Sequence, residues 1–293
     1  MQNYDELFST QEDFDKEQYK ARKQAQRSEV YGMIDAAAQE MQYNGELFQS
    51  FLDVQARFDR YTVNNAILIA KQNPAATRLA DFDTWQKEEV RVRKGEKGIA
   101  ILEPGGEYTR EDGSTATRFQ VKYVFDISQT DSPQRVTPSV TRDLRLLLKA
   151  LITHAPCQMQ ISDNMAENRN ALYSPKERTI YVRQGMDGPD IFRALTSELA
   201  HARMSQGDPE YKRTGNLYTA HYVSYLLCRR YGVPADQFKF DKVPEEYAKM
   251  DSQTFRRELN RIRDVAGEIS QSMNRVLDGQ SRVKPQRDGN AAR

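Results

Sequence analysis

The sequence predicts an α+β protein with a small helix-plus-antiparallel-sheet domain at the N-terminus and a mostly helical second domain. Apolar residues recur at helical spacing between residues 28 and 72. The period then changes to alternation between residues 90 and 125, around an Asp112-Gly113 hairpin signal. Helical spacing returns after residue 143, and 293 residues are enough for two separate cores.

The first part of the chain predicts a charged helical arm over residues 1–45. Residues 1–28 are dense in charge and are typical of a frayed helix or a disordered arm. An amphipathic helix follows from Ser28 and stops at Asn44-Gly45. We assign residues 46–130 to the first domain, whose helices precede its strands.

Two helices and three strands are expected in this region. One helix has an apolar face from Leu47 to Phe58, and the next covers Asn64–Gln72 and ends before Pro74. Val90–Arg93 and Ile99–Leu102 predict strands, and the hairpin leads into an alternating strand that ends at Phe125. Residues 131–140 contain proline and serine and indicate a linker.

The second domain is assigned to residues 141–278, with a polar basic tail at 279–293. Its first helix begins near Leu144, and a hairpin then turns at Ser174-Pro175-Lys176. Helices are expected over residues 188–206 and Asn216–Tyr231, the second closed by glycine. A long amphipathic helix covers residues 252–277.

The overall charge excludes a general electrostatic attraction to nucleic acid or membrane. The 43 Lys+Arg and 42 Asp+Glu nearly cancel, so a DNA-binding surface must be a local patch. No segment approaches the roughly 20 apolar residues of a membrane helix, and the acidic N-terminus has no apolar signal core. Two cysteines are too few for a disulfide framework. We therefore expect a cytoplasmic protein with no membrane partner.

A basic segment around the only tryptophan suggests binding of single-stranded DNA. Single strands bind to grooves that offer cations to phosphates and aromatic faces to bases. Here Trp85 is the candidate for stacking, and the candidates for phosphate contact are Arg91, Arg93, Lys94 and Lys97. Composition alone also fits a solvated hairpin, because residues 86–98 hold five basic and three acidic side chains.

The same region resembles the N-terminal single-stranded-DNA-binding domain of ArdC-type antirestriction proteins of mobile elements. The matching motifs are Asn64-Asn-Ala-Ile-Leu-Ile-Ala-Lys-Gln-Asn-Pro74, Trp85, Lys94-Gly-Glu-Lys-Gly-Ile99 and Val124-Phe-Asp-Ile-Ser-Gln-Thr130. The resemblance implies single-stranded DNA as the partner. It does not identify the side chains that touch the DNA.

A second motif indicates a metallopeptidase-like helix with one ligand missing. Zincins carry His-Glu-x-x-His, in which both histidines bind zinc and the glutamate activates water. Here Ser197 stands at the first histidine, whereas Glu198 and His201 keep their places. The resemblance to the ArdC-type C-terminal domain implies a further ligand in Ala220-His-Tyr-Val-Ser-Tyr225, at the position of His221.

This departure puts catalysis in doubt. A serine hydroxyl is a poor zinc ligand, and two histidines fall short of the three protein ligands of a catalytic site. We expect no resident cofactor, with zinc as the metal that the motif would allow at His201 and His221 and with Glu198 as base if the site is active. Glu198, Asp208 or Cys228 could complete another ligand set. Alternatively, His201 packs between helices and bonds to His221 or Tyr225.

The sequence therefore favours an antirestriction-like accessory protein of a mobile genetic element that binds single-stranded DNA, for example during conjugation. Its second domain would be an inactive zincin-like metallopeptidase domain, a pseudoenzyme, that serves as a scaffold or binds a host or element-encoded protein. One alternative is an active zinc metallopeptidase with a rearranged ligand set. The other is a protein-interaction module that binds neither DNA nor metal.

Overall fold

The predicted α+β class is confirmed. The computed structural model describes residues 11–110, 112–132, 143–166 and 168–281. These residues form two compact units, one of residues 11–54 and 64–132 and the other of residues 55–63 and 143–281. Most of the predicted linker and tail lies outside the described residues, and the predicted domain boundaries stay predictions.

Three helices open the chain. Helix α1 covers Gln11–Met41, α2 covers Gly45–Arg57 and α3 covers Val63–Gln72. The helix expected from Ser28 thus begins well before it, because residues 16–27 consist largely of good helix formers although they lack an apolar face. The Asn44 Oδ1 atom accepts a hydrogen bond from the Leu47 amide at 3.1 Å, so the predicted stop is also the start of α2.

An antiparallel sheet follows in the first unit. Strand β1 covers Leu79–Ala80, helix α4 Phe82–Lys87, strand β2 Ile99–Thr109 and strand β3 Thr115–Asp126, and the strand order is β1-β3-β2. The hairpin is confirmed, whereas β1 and α4 were not expected because each is too short to show a period.

The strand predicted at Val90–Arg93 was wrong. Only Val92 forms a bridge there, to Thr130. Gly95 has a φ of 90°, a left-handed conformation that turns the backbone away from an extended path. A pattern of alternating residues so short cannot distinguish a strand from an extended loop.

The second unit contains a mixed sheet and a helical layer. Helix α5 covers Leu144–Thr153, followed by strands β4 (Gln158–Ser162), β5 (Ala171–Ser174) and β6 (Thr179–Arg183). The order is β4-β6-β5; β6 pairs antiparallel with β5, as the predicted hairpin requires, and parallel with β4. Strand β4 was not expected, since its Gln-Met-Gln-Ile-Ser sequence has little apolar character.

The helical layer agrees closely with the expected elements. Helix α6 covers Gly188–Ser205, α7 Leu217–Tyr231, α8 Glu245–Ala248 and α9 Ser252–Ser281. Gly232 closes α7 in the left-handed conformation, with φ 72°. No helix among the described residues combines the length and apolar character needed to cross a membrane.

Buried side chains on α6 provide a test of the packing. Leu195 and Leu199 lie one turn apart and are both buried, as the helical pattern predicts. Replacing either leucine by alanine should lower the free energy of unfolding by about 2–5 kcal/mol, because the change leaves a cavity. The matched control is Leu217→Ala, since Leu217 is exposed. Urea midpoints equal to the wild type in both α6 variants would show that the buried face is wrong.

Candidate functional site

The middle of α6 carries the residues of the degenerate motif. Asp187 caps the helix by accepting a hydrogen bond from the Asp190 amide at 2.8 Å, and a proline occupies the first turn. Within the helix, Ser197 is half-buried, whereas Glu198 and His201 are buried. The motif therefore lies on the packed side of α6 and not on a solvated surface.

Both carboxylate oxygens of Glu198 are occupied by donors from the protein. The Tyr173 amide, in β5, donates to Oε2 at 2.8 Å. The Arg213 guanidinium donates to Oε2 at 2.7 Å and to Oε1 at 2.6 Å, a two-bond arrangement that fixes both groups in one plane. Glu198 is thus held in place and neutralised by Arg213.

Arg213 lies in the 3-10 helix Arg213–Asn216 that precedes α7. Its side chain is 34% exposed and that of Glu198 is 6% exposed, so the pair is closed to water mainly on the glutamate side. Burial by itself lowers the pKa of Arg213, but the hydrogen bonds and negative charge of Glu198 raise it overall. No motif marks Arg213 in the sequence, and sequence reasoning missed it.

His201 is neutral and lies on the buried side of α6. Its Nδ1 atom lies 2.6 Å from the Tyr211 hydroxyl, so the partner is neither His221 nor Tyr225 as the sequence suggested. Burial, and then the positive charge of Arg213, lower the pKa of His201 to about 3. Burial raises the pKa of Tyr211 to about 12. Both groups are uncharged at neutral pH.

A polar cavity of about 470 Å³ lies against this part of α6. Its lining includes Ser197, Glu198, Arg213 and His221, but His201 is not among the lining residues. His221 comes from α7, is exposed, and has its ring centroid 4.8 Å from that of Phe238. The structure thus brings three of the four predicted positions to one cavity and leaves His201 behind it.

This donor set does not fit a zinc ion. No group of three or more His, Cys, Asp or Glu side chains suited to a metal occurs among the described residues. The Glu198 carboxylate is paired with the Arg213 guanidinium. Cys228 is a buried thiol, and burial raises its pKa to about 12. Asp208 is exposed and joins no such group. The alternative ligand sets considered for the sequence are therefore not formed.

The predicted stacking role of Trp85 is corrected by the structure. Trp85 is 0% exposed and packs in a cluster with Val90 and Ile127. Its Nε1 atom donates to the Phe125 carbonyl at 3.0 Å, so the indole is satisfied inside the core. A lone tryptophan among basic residues gives the same sequence signal in either role.

The four predicted cations are all exposed, but one of them, Arg93, also bonds to the protein's own carbonyl and carboxylate groups. The Arg93 guanidinium donates to the Thr130 and Ser128 carbonyls, each at 2.8 Å, and to Glu96. It therefore holds the loop of residues 91–98 to the segment after β3. Arg91, Lys94 and Lys97 are exposed and form no ion pair with any described carboxylate.

These features define a class: an α+β protein of two units, one with an exposed basic loop and the other with a cavity built around a charge-paired glutamate. Residues 24–137 match the family described as the N-terminal domain of anti-restriction factor ArdC. No curated protein matches the chain.

Two solved structures are similar to this chain. The metal-free crystal structure of the antirestriction ArdC protein from plasmid R388 gives a TM-score of 0.50 at 18% identity, over 73% of this chain and 86% of that one. Its Mn(II)-bound form gives 0.47 at 18% identity, over 76% and 86%. Residues 24–137 thus match the ArdC N-terminal domain, and the chain shares the fold of the solved ArdC structure.

The neutral state of His201 predicts a pH dependence. Its folded pKa of about 3 lies below its ordinary value of 6.5, so the unfolded chain binds more protons between these values. Stability should therefore fall as the pH drops below 6.5, by about 2 kcal/mol between pH 7 and pH 5 from this group alone. In urea unfolding, the free energy of unfolding of His201→Gln should therefore fall less between pH 7 and pH 5 than that of the wild type. The exposed His154→Gln is the control; an unchanged slope in His201→Gln would contradict the assignment.

Restoring the missing histidine tests the role of Arg213. Ser197→His adds an imidazole to the cavity that Glu198 and His221 line, but Arg213 still holds the Glu198 carboxylate and repels a divalent cation. We expect zinc content after desalting to stay low in this variant and to rise in Ser197→His with Arg213→Ala. Added zinc should then raise the Tm of the double variant only. Ser197→Ala with Arg213→Ala is the control, and stoichiometric zinc in Ser197→His alone would refute the role of Arg213.

Proposed function

We propose that this protein binds single-stranded DNA as an antirestriction-like accessory protein of a mobile genetic element. The observation that carries the proposal is the ArdC N-terminal domain over residues 24–137. Residues 46–130 would be the DNA-binding domain, as the sequence motifs predict. The plasmid-encoded relative of the same fold supports the mobile-element setting.

The exposed cations of the 91–98 loop support phosphate binding. Arg91, Lys94 and Lys97 extend from a backbone that is fixed at several points. The Arg93 side chain holds one end, and Gln129 Nε2 donates to the Lys97 carbonyl at 2.8 Å at the other. A fixed loop loses little conformational entropy when its cations meet phosphates, which favours binding. The contacts would be independent of sequence.

The second unit is proposed to be a peptidase-like domain without peptidase activity. A zincin glutamate must accept a proton from a metal-bound water, but both oxygens of Glu198 are already occupied by donors. His201 is bonded to Tyr211, and Ser197 is a weak ligand. The domain, predicted at residues 141–278, would then act as a scaffold or bind a host or element-encoded protein. These contacts disfavour an active metallopeptidase.

Fluorescence anisotropy with the full-length protein tests the DNA-binding proposal. A labelled oligothymidine should bind more tightly than a duplex of equal length, and log affinity should fall with log salt by roughly 0.7 per phosphate contact. Arg91→Ala, Lys94→Ala and Lys97→Ala combined should weaken binding and reduce that slope. The matched control removes three exposed cations of the second unit, Lys149, Lys176 and Lys242. Absence of wild-type binding at low salt would refute the proposal.

A further inference from the structure

A second basic surface lies between α1 and the outer half of β2 and β3. It is a groove of about 760 Å³. One wall is formed by residues 19–31 of α1 and the other by residues 108 and 117–121 of the hairpin. No motif in the sequence drew attention to it, since its two walls are far apart along the chain.

The groove is positively charged on both walls. Lys20, Lys23 and Arg27 line it from α1, and Arg118 lines it from β3. No acidic side chain is among the lining residues, and within the part of the chain that the structure describes none of these cations forms an ion pair. Residues 18–28 contain no Asp or Glu at all. The positive charge of this surface is therefore uncompensated locally, despite the near-zero charge of the whole chain.

Exposed tyrosine rings accompany the cations. Tyr19 is 63% exposed, Tyr108 41% and Tyr31 36%, and all three line the groove. The Lys23 Nζ atom lies 5.6 Å from the centre of the Tyr19 ring, and the Arg118 Cζ atom lies 5.7 Å from that of Tyr108. Each wall thus pairs a cation with a ring whose surface remains open to solvent.

The hairpin wall contributes little to a hydrophobic core. Strand β2 is buried from Ile99 to Leu102 and exposed beyond Glu103. The register shifts between Pro104 and Glu107, where Gly106 has a φ of 123°, so a bulge redirects the outer part of the ribbon. A two-stranded ribbon without a buried face gains little stability of its own. Its length and its exposed ring and cation are better explained by a ligand than by packing.

We propose that this groove binds single-stranded DNA by stacking bases on Tyr19 and Tyr108 and by pairing phosphates with Lys20, Lys23, Arg27 and Arg118. The inference rests on the proposed function and adds the base-binding site that Trp85 does not provide. Alternating cations and open aromatic rings are the combination that binds single strands without sequence preference.

The chemistry favours a single strand over a duplex. Tyr19 to Tyr31 covers about 18 Å of helix at about 1.5 Å per residue, which is long enough for a short segment of single strand. Bases in a duplex are stacked on one another and cannot present their faces to a tyrosine. A duplex could reach only the cations, so the rings would add affinity for single strands alone.

The test uses the full-length protein and anisotropy with labelled oligothymidine. The first variant combines Lys20→Ala, Lys23→Ala, Arg27→Ala and Arg118→Ala, and we expect at least a tenfold loss of affinity with a shallower salt dependence. Its matched control removes the same number of exposed cations from the second unit: Arg145, Lys149, Lys176 and Lys242. The control should bind as the wild type does, and circular dichroism should show equal helix content in both.

The second pair of variants separates stacking from charge. Tyr19→Ala with Tyr108→Ala should weaken single-strand binding about fivefold or more for each base that loses its ring. Tyr19→Phe with Tyr108→Phe keeps the rings and should bind as the wild type does. Both double variants, the one with alanine and the one with phenylalanine, should bind a duplex with the same affinity.

The outcomes distinguish the inference from the proposed function. If the wild type binds single strands and the cation variant binds them with the same affinity, the groove is overturned and the proposed function stands. No binding by the wild type at all would overturn both. A loss in the cation variant without a loss in Tyr19→Ala with Tyr108→Ala would overturn base stacking.

Discussion

The ion pair between Glu198 and Arg213 determines what the second unit can do. A carboxylate with 6% exposure on a packed helix must be neutralised, because an unpaired charge in that environment costs several kcal/mol. In a metalloenzyme a bound cation can supply the compensating charge. Here a guanidinium of the chain supplies it and takes both oxygens. The charge of the glutamate is therefore balanced within the chain, and both of its oxygens are engaged.

The degenerate motif predicted only part of this arrangement. Ser197 stands where the zincin interpretation expects a ligand, and Glu198 and His201 are buried on α6. The substitute cation could not be predicted, since Arg213 and Tyr211 belong to the irregular segment between α6 and α7, where side-chain direction depends on tertiary contacts. His221 lines the cavity, but its ring lies against Phe238 and not against His201.

Polar residues in the motifs of the first unit join α3 to β2 and join β3 to the segment before β1. Asn65 bonds to both backbone groups of Leu102 at 2.8 Å, and Gln72 does the same for Ala100 at 2.9 Å. Asp126 accepts from the amides of Thr77 and Arg78. These amides and carboxylates are specific in sequence because buried backbone groups need partners. Helices and the hairpin were predictable from periodicity, whereas the residues proposed to contact DNA were not, since the motifs identify the scaffold.

In the first unit, the residues that hold the fold differ from those on the basic surfaces. Fixed polar contacts define the fold, while uncompensated charges and open rings mark the surfaces proposed to meet DNA.

In the second unit, Arg213 is the counter-charge of Glu198. A double-mutant cycle on the free energy of unfolding, with Glu198→Gln, Arg213→Met and both together, tests it most directly. We predict a coupling energy of at least about 1 kcal/mol, moderated by solvent at the exposed third of Arg213. Additive single and double variants, with no coupling, would contradict it.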